Sequence, residues 1–185
     1  MRIISGKYRG KKLKEFDIAS TRPTQDRVKE SIFNLIQFDV VGSQVLDLFS
    51  GTGALGIECI SRGAEFVYLV DKNKQAINLI NSNLKGVEGN YSVQNMDFME
   101  FLTTHLNLKF DIVLLDPPFA TNYAQEAIQY ITENNMLNQA GIIIFETSEN
   151  KNFELNKQGY SVKKYKYGTV AVYKIEKNEN WKIKK

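Results

Sequence analysis

Between Thr24 and Gln37 the apolar residues Val28, Ile32, Leu35 and Ile36 fall at i, i+4, i+7 and i+8. That spacing predicts a helix with one buried face, and Pro23 just upstream marks its start. Beyond this helix the pattern changes to short, continuous apolar runs. QVLDLF (44–49) predicts a buried strand, followed by the glycine-rich turn SGTGALG and a helix through Ser61 that stops at Arg62-Gly63. FVYLVD (66–71) predicts a second strand. Asn73 can cap the next helix, whose Ala76, Ile77, Ile80 and Leu84 line one face before Gly86 ends it. A strand at YSVQN (91–95) and a short helix over MEFLTTHL follow. FDIVLLD (110–116) is the most hydrophobic strand and runs into Pro117-Pro118; residues 123–137 suit a helix, and GIIIFET (141–147) another core strand. The final stretch, YSVKKYKYGTVAVYKI, alternates at period two around Gly168, which predicts a hairpin.

Strands alternating with helices imply an α/β fold, a parallel sheet covered on both faces. The closing hairpin breaks the rule, because a tight turn makes its strands antiparallel. At 185 residues the chain fits one domain. No apolar run is long enough to span a bilayer, and MRIISGKYRG lacks the apolar core of a signal peptide. One cysteine, Cys59, and one histidine, His105, exclude an internal disulfide and a zinc cluster of the usual ligand types, and suit the cytoplasm. Net charge is only +3, but Arg2, Lys7, Arg9, Lys11, Lys12 and Lys14 crowd residues 1–14 without an acid. Such a segment suits a phosphate backbone or simply a solvated surface. A boundary near residue 20 therefore separates a basic arm, residues 1–20, from an α/β body, residues 21–185.

Gly51-Thr52-Gly53-Ala54-Leu55-Gly56 matches G-x-G-x-x-G, with Asp71 twenty residues after Gly51. Taken alone, this is a dinucleotide fingerprint. Asp47, ahead of Leu48-Phe49-Ser50 and the first glycine, argues otherwise. A carboxylate there repels a pyrophosphate and suits a ligand carrying an ammonium and a sulfonium.

Asp116-Pro117-Pro118-Phe119 stands at the carboxyl end of the 110–116 strand, the edge where open α/β sheets bind ligands. Asp116 and the Pro117 carbonyl can each accept a hydrogen bond from one –NH2 group. Two acceptors pyramidalise a conjugated amine and aim its lone pair at an electrophilic methyl carbon, and the anion stabilises the charge that develops. Phe119 can stack on the base. A proline-stiffened loop with a buried phenylalanine is the plainer alternative; it accounts for the prolines but not for Asp116.

Together, RIISGKYRGKKL, TRPTQDRVKESIFNLI, LDLFSGTGALGIECISRGA, VDKN and LLDPPF resemble the class I methyltransferase family, and within it the RsmD type of small-subunit ribosomal RNA guanine-N2 methyltransferases. The resemblance covers nearly the whole chain. It implies a Rossmann-like, seven-stranded, mostly parallel sheet with an antiparallel last strand, and S-adenosyl-L-methionine as cofactor. Asp47, Phe49, Ser50, Gly51, Thr52 and Gly53 would line its methionine part, Asp71 its ribose, and Lys72, Asp97 and Phe98 its adenine. Asp116, Pro117, Pro118 and Phe119 would hold the target base. Arg2, Lys7, Arg9, Lys11, Arg22 and Arg27 would bind RNA, with Thr24 near the same mouth. The implied reaction is methylation of a guanine N2 amine in 16S ribosomal RNA, free or in the assembling small subunit, by a monomer without metal.

A DNA amino-methyltransferase, a non-catalytic RNA-binding protein and an NAD-dependent oxidoreductase are the competing functions. Cys59 is expected in the core, His105 on a helix surface, and Glu146 at a strand end, where it either approaches the active-site edge or, more simply, is solvated. Trp181 and the tail lysines are expected to fray.

Overall fold

The computed structural model describes residues 1–16, 22–155 and 157–178, with side chains described from Asp26 onward in the first helix. In chain order the elements are α1 (Arg22–Leu35), β1 (Gln44–Asp47), α2 (Ala54–Ser61), β2 (Phe66–Val70), α3 (Lys74–Asn83) and β3 (Tyr91–Gln94). They continue as α4 (Phe98–Thr104), β4 (Phe110–Leu115), α5 (Tyr123–Glu133), β5 (Leu137–Ser148), β6 (Tyr160–Tyr167) and β7 (Val170–Lys177). The strands form one sheet in the order β3-β2-β1-β4-β5-β7-β6. The first five are mutually parallel, and β7 runs antiparallel between β5 and β6. The expected α/β sheet with its antiparallel last strand is present.

Alternation along β4 explains the layering. Ile112 and Leu114 join a core on one face with α1, α2 and α3, while Val113 and Leu115 join a second core with α4 and α5. A strand apolar from Ile112 through Leu115 needs cover on both sides, and both are filled. On α1 the buried apolar residues are Val28, Ile32 and Phe33, followed by Ile36 just past the helix; Leu35 is only half-buried. The Arg62 guanidinium lies 4.5 Å from the centre of the Phe33 ring.

Two elements differ from expectation. The helix predicted over 123–137 ends at Glu133, and β5 begins four residues before Gly141. Leu137 pairs with Phe110 of β4, and the register shifts before Ile112 meets Ile142. Sheet pairing captures a segment whose local sequence alone suits a helix end.

The basic N-terminal segment is docked rather than free. Arg2 and Lys12 form an antiparallel bridge, and Ile3 and Leu13 are buried in the first core. The fully buried Glu58 of α2 accepts the backbone N–H groups of Ile4 and Ser5 at 2.8 and 3.0 Å, and pairs with Lys29 and Arg62. A buried carboxylate needs such partners, and half of them come from this segment. The boundary drawn near residue 20 lies outside the described residues, as do Trp181 and the tail lysines.

Candidate active site

The strand order reverses between β1 and β4, and the crevice beyond their carboxyl ends is where an open sheet receives a ligand. A cavity of about 500 Å³ opens there. Its wall brings together Phe49, Gly51, Asp71, Lys72, Asp97, Phe98, Asp116, Pro117, Pro118 and Phe119, with Leu48, Asn73 and Tyr123. Residues spread over seventy positions of sequence thus share one surface because each follows the end of a parallel strand.

The glycine loop is held from behind. Ser50 donates to the Asp47 carbonyl at 2.8 Å, and the Thr52 carbonyl accepts from Asn83 at 2.9 Å. Gly53 turns into α2 with φ of 79°. The buried Asp47 carboxylate accepts the Gly56 N–H at 3.0 Å, and a Cβ on Gly56 would stand 3.0 Å from that same oxygen. Asp47, Ser50, Thr52 and Gly53 are therefore not part of the cavity wall; they fix the loop that presents Gly51. Burial pushes the Asp47 carboxyl up to about 7, with the charges of Asp116 and Asp71 adding to it and the Gly56 N–H opposing.

Asp71 accepts the N–H groups of Gly51 and Asn73 at 2.9 and 2.8 Å, so it both faces the cavity and ties the loop to β2. Asp97 caps α4 through Met99 N–H at 3.0 Å. Phe49, Phe98 and Tyr123 pack together, with centroids of Phe49 and Phe98 5.2 Å apart, and the Lys72 ammonium lies 5.0 Å from the Tyr123 centroid. This wall offers a flat heterocycle stacking partners. Tyr123 went unassigned in the sequence; an aromatic in the first turn of the helix after DPPF was the available signal.

Asp116 lies among the strand ends, yet its carboxylate opens onto the cavity. Solvent reaches it through that opening, while the surrounding protein mass raises its pKa by desolvation. The loop beyond is rigid. Thr121 donates to the Pro118 carbonyl through both N–H and hydroxyl, and Lys151 donates to the Thr121 carbonyl at 2.7 Å. Among the described residues nothing donates to the Pro117 carbonyl, which stays available beside Asp116. Phe119 is 43% exposed, open for a stacking partner.

Glu146 departs from the simpler expectation. It is largely enclosed beside Asp116, and burial together with the Asp116 charge drives its carboxyl upward. His105 also differs: it closes α4, half-buried, with its ring stacked on Phe101 and Nδ1 2.9 Å from the Phe101 carbonyl. Cys59 is buried as expected.

Of the basic residues, Arg2, Arg9 and Arg27 share a shallow cleft with Asp26 and Glu30. Lys7 is paired with Glu88 at 2.6 Å, and Lys11 donates to the Lys85 carbonyl at 2.7 Å. The Arg22 and Thr24 side chains lie outside the described residues. No described helix is long and apolar enough to cross a membrane, and no described cluster of His, Cys, Asp and Glu suits a metal ion.

Residues 1–176 match the model of the family described as Conserved hypothetical protein 95. Ribosomal RNA small subunit methyltransferase D of Haemophilus influenzae is 35% identical over 96% of this chain and 94% of its own. The protein of that name in Escherichia coli strain K12 is 32% identical over 97% of this chain and 90% of its own. The solved structure of yhhF from Escherichia coli superposes with a TM-score of 0.85 at 30% identity, covering 97% of this chain and 98% of that one.

Proposed function

Because the chain belongs to the Conserved hypothetical protein 95 family, with relatives named ribosomal RNA small subunit methyltransferase D, we propose that it methylates the N2 amine of a guanine in small-subunit ribosomal RNA, with S-adenosyl-L-methionine as methyl donor. The observation that carries this reading is the cavity whose wall brings Asp116 and Pro117 together with Asp71, Asp97 and the aromatic residues.

The donor set fits the cofactor. Asp71 suits ribose hydroxyls, Phe49, Phe98 and Tyr123 suit a purine, and Asp116 suits a cationic methionine end. Lys72 is the one cation among the described wall residues, so a pyrophosphate would meet mostly carboxylates. This favours the methyl donor over NAD. When bound, S-adenosylmethionine supplies an electrophilic methyl group on a sulfonium.

The protein's own contribution is orientation and charge. Asp116 accepts one N2–H and the Pro117 carbonyl the other, which localises the nitrogen lone pair. Phe119 fixes the plane of the base from the exposed side. As nitrogen takes on positive charge, the Asp116 carboxylate stabilises it. Arg2, Arg9 and Arg27 supply phosphate contacts on the docked N-terminal hairpin and α1. The substrate is ribosomal RNA or the assembling small subunit in the cytoplasm.

Mass-spectrometric mapping of ribosomal RNA from cells lacking the protein tests the reading. One missing N2-methylguanosine in the small-subunit RNA, restored by the gene, is the expected result. An unchanged modification map would overturn it.

A further inference from the structure

Resting on that reading, we propose that Glu146 recognises the Watson–Crick edge of the target base: it accepts the guanine N1–H while Asp116 accepts the adjacent N2–H, and so selects guanine.

The register places the two carboxylates together. Leu115 of β4 pairs in parallel with Phe145 of β5, so Asp116 and Glu146 are the next neighbours along adjacent strands. Their backbones are spaced by about 4.8 Å, as neighbouring strands are. Both lie on the sheet face shared by Leu114 and Ile144, opposite the core that holds Leu115 and Phe145. On the other side, Glu146 is opposite Val172 of β7, an apolar neighbour that offers its side chain no polar partner.

Glu146 makes no side-chain hydrogen bond to any described residue, and none of its side-chain atoms is sealed from solvent without a partner. An acid enclosed among strand ends without a partner among the described residues is placed for a ligand. It does not belong to the wall of the 500 Å³ cavity, whereas Asp116 does. Asp116 therefore marks the border between cofactor and base, and Glu146 stands on the base side. Guanine presents N1–H and N2–H as adjacent donors, which two acceptor carboxylates match. Adenine and 2,6-diaminopurine present a lone pair at N1, which faces a carboxylate unfavourably. Desolvation raises the pKa of both acids, the Asp116 charge adds to the rise at Glu146, and donors from guanine favour their charged forms on binding.

The test uses the full-length protein and a small-subunit ribosomal RNA joined by ligation, offered both free and assembled into small subunits, with guanine or 2,6-diaminopurine at the mapped target. Both bases carry the reactive N2 amine. The rates of methylation are compared for wild type and Glu146→Gln, with S-adenosylmethionine affinity measured alongside as a control for folding. The Gln amide can turn either its oxygen or its nitrogen toward N1. The expected result is a fall of about tenfold or more in the guanine-to-diaminopurine ratio of kcat/KM, with cofactor affinity unchanged. A wild-type protein that methylates guanine, with the same ratio in Glu146→Gln, overturns the role of Glu146 alone. A wild-type protein that leaves the guanine RNA unmodified overturns the functional reading, and this assignment with it.

Discussion

Asp47 shows how one buried side chain couples stability to ligand charge. Its pKa rises from 3.8 to about 7, chiefly through burial. A raised folded-state value means that the protonated form favours the fold. That contribution is complete below the unfolded pKa and is lost as pH rises through about 7. Without cofactor, Asp47→Asn is therefore expected to be more stable than the parent at pH 8, by about 1 kcal/mol or more. The gap should narrow as pH falls toward 4, and urea denaturation across that range checks it. Asp71→Ala should weaken S-adenosylmethionine binding by about 1.5–3 kcal/mol in titration calorimetry, through lost charge-assisted bonds. It also releases the Gly51 and Asn73 N–H groups. At this scale the motif residues were legible because glycines, prolines and acids at fixed offsets have few other uses. Glu146 was legible only as an acid near the active-site edge that is more simply solvated, because its enclosure appears once β7 and β4 are placed beside it.

Among the elements, the N-terminal hairpin carries the sharpest expectation. Gly6 has φ of 83°, and a Cβ on it would lie 1.8 Å from the Ser61 carbonyl oxygen. Gly6→Ala should thus cost about 2 kcal/mol or more in denaturant unfolding, from strain and overpacking together. Removing residues 1–14 altogether should unfold the protein, since Glu58 would lose two N–H donors and the first core would lose Ile3 and Leu13. The strands of the sheet were legible as apolar runs bounded by glycine and polar turns. The docking of the hairpin was not. Its apolar anchors, Ile3 and Leu13, stand ten residues apart among lysines and arginines, and the acid that accepts from Ile4 and Ser5 sits inside an apolar helix. The early start of β5 was equally hidden, because Leu137 becomes strand only by pairing with Phe110.

Across the whole molecule, part of the basic segment is already engaged. Lys7 is paired with Glu88 and Lys11 donates to a carbonyl, while Lys12 and Lys14 stay exposed and Arg2, Arg9 and Arg27 gather around one cleft. Changing these three to Ala should weaken RNA binding and lower the slope of log affinity against log salt by about 2, if each arginine neutralises one phosphate. Cofactor affinity should not change, because none of the three lines its cavity. Filter binding at several salt concentrations, beside calorimetry with the cofactor, reads both quantities. The central claim is that one cavity holds the methyl donor while Asp116 presents the amine. Single-turnover methyl transfer by Asp116→Ala, on small subunits from cells lacking the protein, tests it most directly when cofactor affinity is measured in the same preparation. The account predicts S-adenosylmethionine affinity within about threefold of wild type, and transfer slower by about a thousandfold, the scale of losing one electrostatic stabiliser. Transfer at a near-normal rate with the cofactor bound would contradict it.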